Sequence, residues 1–137
     1  MIVTLDVSAA VEVVMGRPRQ PIIAAVLEKA GWVIAPTLYI YEAANVMWKY
    51  HQISGLPEAE LVHPFQHLLE LVDEFVEAEQ LAGKAMTLAC ELNHPTYDTV
   101  YLVACQSRNA ALLTLDAKLA LAAAKKGIQV CVDVDIV

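Results

Sequence analysis

The sequence predicts an α/β fold: a parallel sheet covered by helices on both faces. Three observations carry this. Short continuous apolar runs, Ile2 to Leu5, Trp32 to Ala35 and Ala111 to Thr114, alternate with longer stretches of helical periodicity. Runs without polar alternation suit strands buried on both sides, as in parallel sheets with helical crossovers. The chain has 137 residues and shows no repeat, low-complexity tract or linker, which fits one domain over 1–137 with its own core.

In order, Ile2 to Leu5 is a first strand ending at Asp6, and Ser8 is placed to cap the helix that follows. Met15 to Pro21 reads as a loop carrying Arg17 and Arg19, and Pro21 can open a helix that ends near Ala30 and Gly31. Trp32 to Ala35 is a second strand. Pro36 and Thr37 start a helix to about Gln52, with Glu42 in its early turns. Pro57 to about Asp73 reads as one helix with Leu61, Phe65, Leu68, Leu69 and Val72 on a single stripe. A brief strand at Phe75 to Glu77 precedes an alanine-rich helix, Ala78 to Leu92, which Asn93, His94 and Pro95 break. A strongly apolar helix then starts at Tyr97, and a turn through Ser107, Arg108 and Asn109 leads to the strand at Ala111 to Thr114. A helix over Ala117 to Lys126 ends in two lysines that suit its dipole, with Gly127 as the residue after the cap. Gln129 to Val132 reads as a last strand, and Asp133 to Val137 gives no clear signal.

Composition narrows the function classes. The hydrophobic fraction is 58%, yet no apolar run approaches the roughly 18 residues of a membrane span. The start, MIVTLD, has no basic segment and reaches an acid at once, so it does not read as a signal peptide. Cys90, Cys105 and Cys131 form no paired motif and read as reduced core thiols of a cytoplasmic protein. A net charge of −7, with only nine Lys and Arg, argues against non-specific binding to duplex nucleic acid. It leaves room for an enzyme that meets phosphates through metal and a few local cations.

Four acids carry the chemistry. Asp6 and Asp116 each follow a predicted strand directly, while Glu42 and Asp98 lie in the first turns of their helices. In an open parallel sheet, ligands bind beyond the carboxyl ends of the strands, so all four acids can face one edge. Clustered carboxylates repel, and a divalent cation removes that cost. All-oxygen ligands select Mg²⁺ or Mn²⁺ over zinc, and hydrolysis of a phosphodiester follows as a reaction class. Each acid also has a plainer use: Asp98 with its helix dipole, Asp116 as a helix cap, Glu42 in a solvated stripe with Asn45 and Lys49. Only their joint placement points to a site.

The segments LDVSAAVEV, YEAANVMWK and YDTVYLVACQSRNAALLTLDAKL, followed by the strand after Gly127, together resemble the PIN-domain nucleases. The likeness is greatest to the small VapC-type toxins of toxin–antitoxin modules. The resemblance implies a three-layer α/β/α Rossmann-like sandwich, commonly a homodimer. It implies that Asp6, Glu42, Asp98 and Asp116 bind Mg²⁺ or Mn²⁺, with Ser8 and Thr114 at small hydroxyl positions nearby. It further implies cleavage of single-stranded or looped RNA, tRNA among the targets, and a partner antitoxin that lies across the site. Lys118, Arg17 and Arg19 can reach phosphates, and Asn45 can orient Glu42 by a hydrogen bond.

The remaining features are weighed against plainer readings. His63 and His67 have i, i+4 spacing but no third ligand. Trp32, Tyr39, Tyr41, Trp48, Tyr50, Tyr97 and Tyr101 read as core or interface packing before base stacking. Part of the apolar surface of Val11, Val13, Val14, Ile22, Ile23, Val26 and Leu27 is expected to form a homodimer contact or a groove for an amphipathic antitoxin helix, against the plainer alternative that all of it packs on the sheet. A binding module with weak catalysis is the competing function. A phosphoacceptor receiver domain ranks lower, because the first strand ends in one acid rather than two.

Overall fold

The computed structural model describes residues 1–132; the tail from Asp133 lies outside them. Four strands, β1 (Ile2–Leu5), β2 (Trp32–Pro36), β3 (Glu74–Val76) and β4 (Ala111–Leu113), form a sheet of order β3-β2-β1-β4. Every pairing is parallel: Val3 stands opposite Val33 and Ala111, and Ala35 opposite Phe75. The chain builds outward from β1 to β3, then returns to lay β4 on the other side of β1. The carboxyl ends of β1 and β4 therefore flank the switch point where such sheets open a crevice.

Among the described residues seven α-helices cover the sheet: α1 (Val7–Val14), α2 (Gln20–Lys29), α3 (Leu38–Ser54), α4 (Val62–Glu70), α5 (Ala78–Leu92), α6 (Thr96–Arg108) and α7 (Ala117–Lys125). Alternate strand residues point to opposite faces, and two cores result. Val3, Leu5, Val33, Ala35 and Leu113 pack with α1 to α4 through residues such as Ala10, Ile23, Tyr39 and Leu68. Ile34 and Leu112 pack with α5, α6 and α7 through Leu81, Leu102, Leu119 and others. This is the three-layer α/β/α sandwich. Helix α6 is buried over seven successive residues, Thr99 to Cys105, because it lies between the sheet and α5. No helix among the described residues is long and apolar enough to cross a membrane.

Several local expectations change. The first helix begins at Val7 with Asp6 at its cap position, so Ser8 is inside the helix and does not cap it. The stretch from Pro57 is not one helix: a 3₁₀ turn, Glu58–Glu60, precedes α4. Pro64 explains the break. Its missing N–H is harmless in the first turn of α4, but a helix continuous from Pro57 would need it as a donor. Gln129 to Val132 forms only one bridge, Leu112 to Val130, and not a full strand. Cys90 is exposed, and only Cys105 of the three thiols is buried; burial pushes the Cys105 thiol up to about 12. The early helices mostly pack on the sheet: Val11 and Ile23 are buried, Val13, Val14, Val26 and Leu27 lie against the same core, and Ile22 is exposed.

Thr4, in the central strand, is fully buried, and its hydroxyl faces the buried Cys105 thiol, whose ionised form it favours, with no stronger partner. A thiol is a weak hydrogen-bond partner and leaves part of the roughly 1–3 kcal/mol cost of an unsatisfied buried hydroxyl in place, so Thr4→Val, of similar shape, is expected to raise unfolding stability by about 1 kcal/mol. Urea titration with an unchanged m-value checks this; a clear loss of stability would show that the hydroxyl is satisfied.

Candidate metal and nuclease site

Asp6 is the fixed point of the site. Its backbone N–H continues the β1–β4 pairing by donating to Leu113 O at 3.0 Å, and its carbonyl accepts from Ala9 and Ala10 as α1 begins. The residue is 8% exposed, and its carboxylate makes no cap bond. Instead, Oδ2 accepts from Ser8 Oγ at 2.6 Å and Thr114 Oγ1 at 2.7 Å. Ser8 Oγ also accepts from the N–H of Leu115, and Thr114 Oγ1 from that of Asp116. One carboxylate thus ties the end of β1, the start of α1 and the segment joining β4 to α7. Burial raises the Asp6 carboxyl; the Ser8 and Thr114 hydrogen bonds pull it down, and the charge of Asp116 pushes it up again.

Glu42 comes from the second turn of α3. Its Oε1 accepts from the hydroxyl of Tyr101, on α6, at 2.6 Å. Tyr101 is 2% exposed, so the tyrosine reaches the site from inside the core. Burial pushes Glu42 up to about 7, helped by Asp6 and Asp98 and opposed by the Tyr101 bond. Asp98 lies in the first turn of α6, 3.8 Å from His94 Nδ1. Its carboxyl is raised by burial and by Asp116, and lowered by His94 and Lys118. Asp116 caps α7, Oδ1 accepting from the N–H groups of Lys118 and Leu119.

The four acids therefore share one field, and the cap reading of Asp116 is true alongside it. Asp6, Ser8, Glu42 and Asp116 line a groove of about 780 Å³ between α1 and α3, together with Asn45 and Lys49. The oxygen donors are hard and anionic, the set that Mg²⁺ and Mn²⁺ prefer. Among the described residues no three His, Cys, Asp or Glu side chains form a ready-made cage. Mg²⁺ does not require one, because it keeps several waters and takes one or two carboxylates plus substrate oxygens.

Other expectations divide. Lys118 lies close enough to Asp98 for its charge to act there. Among the described residues Asn45 makes no hydrogen bond to Glu42; Tyr101 has that role. Tyr101 was legible only as an apolar-helix aromatic, since nothing in its spacing from Glu42, 59 residues away, marks the pair. His63 and His67 are both exposed on α4. The core reading holds for Tyr39 and Tyr101, while Trp32, Tyr41, Trp48 and Tyr97 are exposed on this chain, where only interface packing would cover them.

Comparison with known proteins agrees with this geometry. The family model described as PIN domain matches residues 3–125. The crystal structure of PAE2754 from Pyrobaculum aerophilum superposes with a TM-score of 0.73 at 21% identity, over 96% of this chain and 84% of that one. At that identity the likeness is one of fold. No curated protein matches the sequence.

The raised carboxyls set a pH dependence. Between the ordinary Glu value of 4.5 and about 7, the folded state binds more protons at Glu42 than the unfolded state does, so rising pH favours unfolding. Asp6 and Asp98 act in the same sense. The melting temperature in EDTA is expected to fall from pH 5 to pH 8, and Glu42→Gln to flatten that fall. Tyr101→Phe, which removes the bond that favours the ionised carboxylate, should move its midpoint upward. A flat profile for the unsubstituted protein would contradict the shared field.

Proposed function

The chain belongs to the PIN domain family, a nuclease fold, and on that premise we propose that it is an Mg²⁺- or Mn²⁺-dependent endoribonuclease. The observation that supports this most is Asp6. A buried carboxylate, fixed by two hydroxyls beside three further acids, costs stability and finds its use in holding a cation. Asp6, Glu42, Asp98 and Asp116 are the residues that would hold the ion. Bound there, it supplies Lewis-acid polarisation of a phosphoryl oxygen and a more acidic water.

The protein's own residues do the positioning. Ser8 and Thr114 fix the Asp6 carboxylate, and Tyr101 turns Glu42 towards the same crevice. Such supporting hydrogen bonds commonly govern metal affinity about 10- to 100-fold. Lys118 stands beside Asp98 as a counter-charge for a phosphate.

The biological role follows the resemblance of the segments around the acids to VapC-type toxins. In this reading the enzyme is the toxin of a two-gene module, cleaves RNA such as tRNA, forms a homodimer in the cytoplasm and is blocked by an antitoxin. A neighbouring small gene whose product co-purifies with the chain and suppresses cleavage would support that part.

Thermal unfolding in EDTA, Mg²⁺ and Mn²⁺ tests the site, with Asp98→Asn in parallel. A ligand of the folded state at a hundred times its Kd adds about 2.7 kcal/mol, which moves the melting temperature of a domain this size by roughly 9 °C. Wild type is expected to respond and Asp98→Asn to lose most of the shift. Asp6→Asn and Asp98→Asn should each lower RNA cleavage by more than about a hundredfold. If neither protein responds to millimolar metal, the acids are not a working cation site.

A further inference from the structure

Three of the four acids at the crevice are tied down by donors of their own. Asp6 has the hydroxyls of Ser8 and Thr114, Glu42 has the Tyr101 hydroxyl, and Asp116 has the N–H groups of Lys118 and Leu119. Asp98 is the exception. Its carboxylate has no donor at hydrogen-bond distance among the described residues, and the side chain paired with it is His94, with Nδ1 3.8 Å from Oδ2. That separation is longer than a hydrogen bond, and a small rotation of either side chain closes it. The Asp98 side chain is 35% exposed, so without a donor it is free to change rotamer.

His94 lies between two helices, yet its place is fixed. Asn93 ends α5 in the left-handed conformation, at φ 54°, and the His94 N–H donates to Ala89 O at 3.2 Å. Pro95 restricts the backbone that follows, and its carbonyl accepts from the N–H of Asp98 at 3.0 Å. Buried Thr99 then donates Oγ1 to Ala85 O at 2.7 Å, which locks the start of α6 to α5. Both backbones of the pair are held, and the His94 side chain is only 19% exposed. As a surface ion pair alone, His94 and Asp98 would add little to stability; the placement matters to the carboxylate more than to the fold. Donors behind a metal-binding group fix its orientation and commonly govern metal affinity about 10- to 100-fold. We infer that His94 is the positioning residue of Asp98: its Nδ1–H holds Oδ2 and leaves Oδ1 turned to the crevice to bind the cation. Both the neutral Nδ1–H tautomer and the imidazolium can donate in this way. The inference rests on the metal-dependent endoribonuclease reading above and adds the support of its fourth acid.

The test is Mn²⁺ affinity, read from the loss of the free-ion paramagnetic resonance signal. It compares wild type, His94→Phe, His94→Asn, Asp98→Asn and the double variant His94→Phe with Asp98→Asn. Phenylalanine keeps a ring and removes the donor, whereas asparagine keeps an N–H close to the place of Nδ1. His94→Phe is expected to bind Mn²⁺ about 10- to 100-fold more weakly, and His94→Asn to recover most of that loss. In the Asp98→Asn background His94→Phe should cost nothing further, because it acts through that carboxylate. Cleavage of RNA by His94→Phe should be slow at limiting Mn²⁺ and regain the wild-type kcat at saturating Mn²⁺. Wild-type Mn²⁺ affinity in His94→Phe would overturn the inference. So would an equal loss in His94→Asn, or a further loss in the double variant, which would mark a general effect on the fold. A kcat that stays low at saturating Mn²⁺ would mark direct contact with substrate and likewise overturn it. These outcomes leave the endoribonuclease reading standing; a wild type that binds no Mn²⁺ would overturn that reading and this inference together.

Discussion

The carboxylate of Asp6 is the constraint around which the site is built. It is buried at the end of the central strand, and two hydroxyls from different parts of the chain, Ser8 and Thr114, converge on one of its oxygens. Those hydroxyls in turn accept the backbone N–H groups of Leu115 and Asp116. Removing a partner from such a network leaves a charge in poor solvent, which is why each member needs the others. The network also fixes where α7 starts, because the Asp116 N–H that it holds belongs to the residue that caps that helix.

The position of this network follows from the sheet. β1 is central, β2 and β4 pair on either side of it, and the chain reverses its building direction there. Helices leaving β1 and β4 therefore diverge, and the gap between their first turns is open at the carboxyl edge. α3 and α6 bring Glu42 and Asp98 to the same gap from opposite faces, one on each side of the sheet. The repulsion among these acids is a cost that neither apolar core needs. Native structures accept such local conflict chiefly where function requires it.

The opposite end of the sheet shows what an ordinary charge arrangement looks like here. Glu74 at the start of β3 accepts from Trp32 Nε1 at 3.1 Å and from Arg108 Nη1 at 3.0 Å. Those bonds hold its carboxyl down at about 2. There the acid is paired and its carboxyl lowered; at the crevice the carboxyls of Asp6, Glu42 and Asp98 are raised. The contrast lies in burial and partners: a partly exposed acid held by a cation and an indole N–H in one place, more deeply buried acids beside other carboxylates in the other.

Alternation of apolar runs with helical periods was enough to place the four strands of the parallel sheet to within about a residue, because strands buried on both faces must be largely apolar, but it also suggested a strand at Gln129 to Val132 that forms a single bridge. The four acids were legible as a set for a related reason: an acid just past an apolar strand, or in the first turn of an apolar helix, stands out locally. Local signals failed where a partner lay far along the chain. Ser8 looked like a helix cap, yet its hydroxyl is drawn to Asp6 and to Leu115, the latter 107 residues away. Tyr101 looked like core and is core, but its hydroxyl emerges at Glu42. Tyr41 and Trp48 share a helix and similar chemistry, and only the packing of α1 against α3 placed one in the groove and the other outside it. Residue type and spacing decide which elements form and which residues are costly to bury. Which distant groups meet is decided by how the layers pack, since hydrogen bonds between side chains depend on positions in space that separation along the chain does not encode.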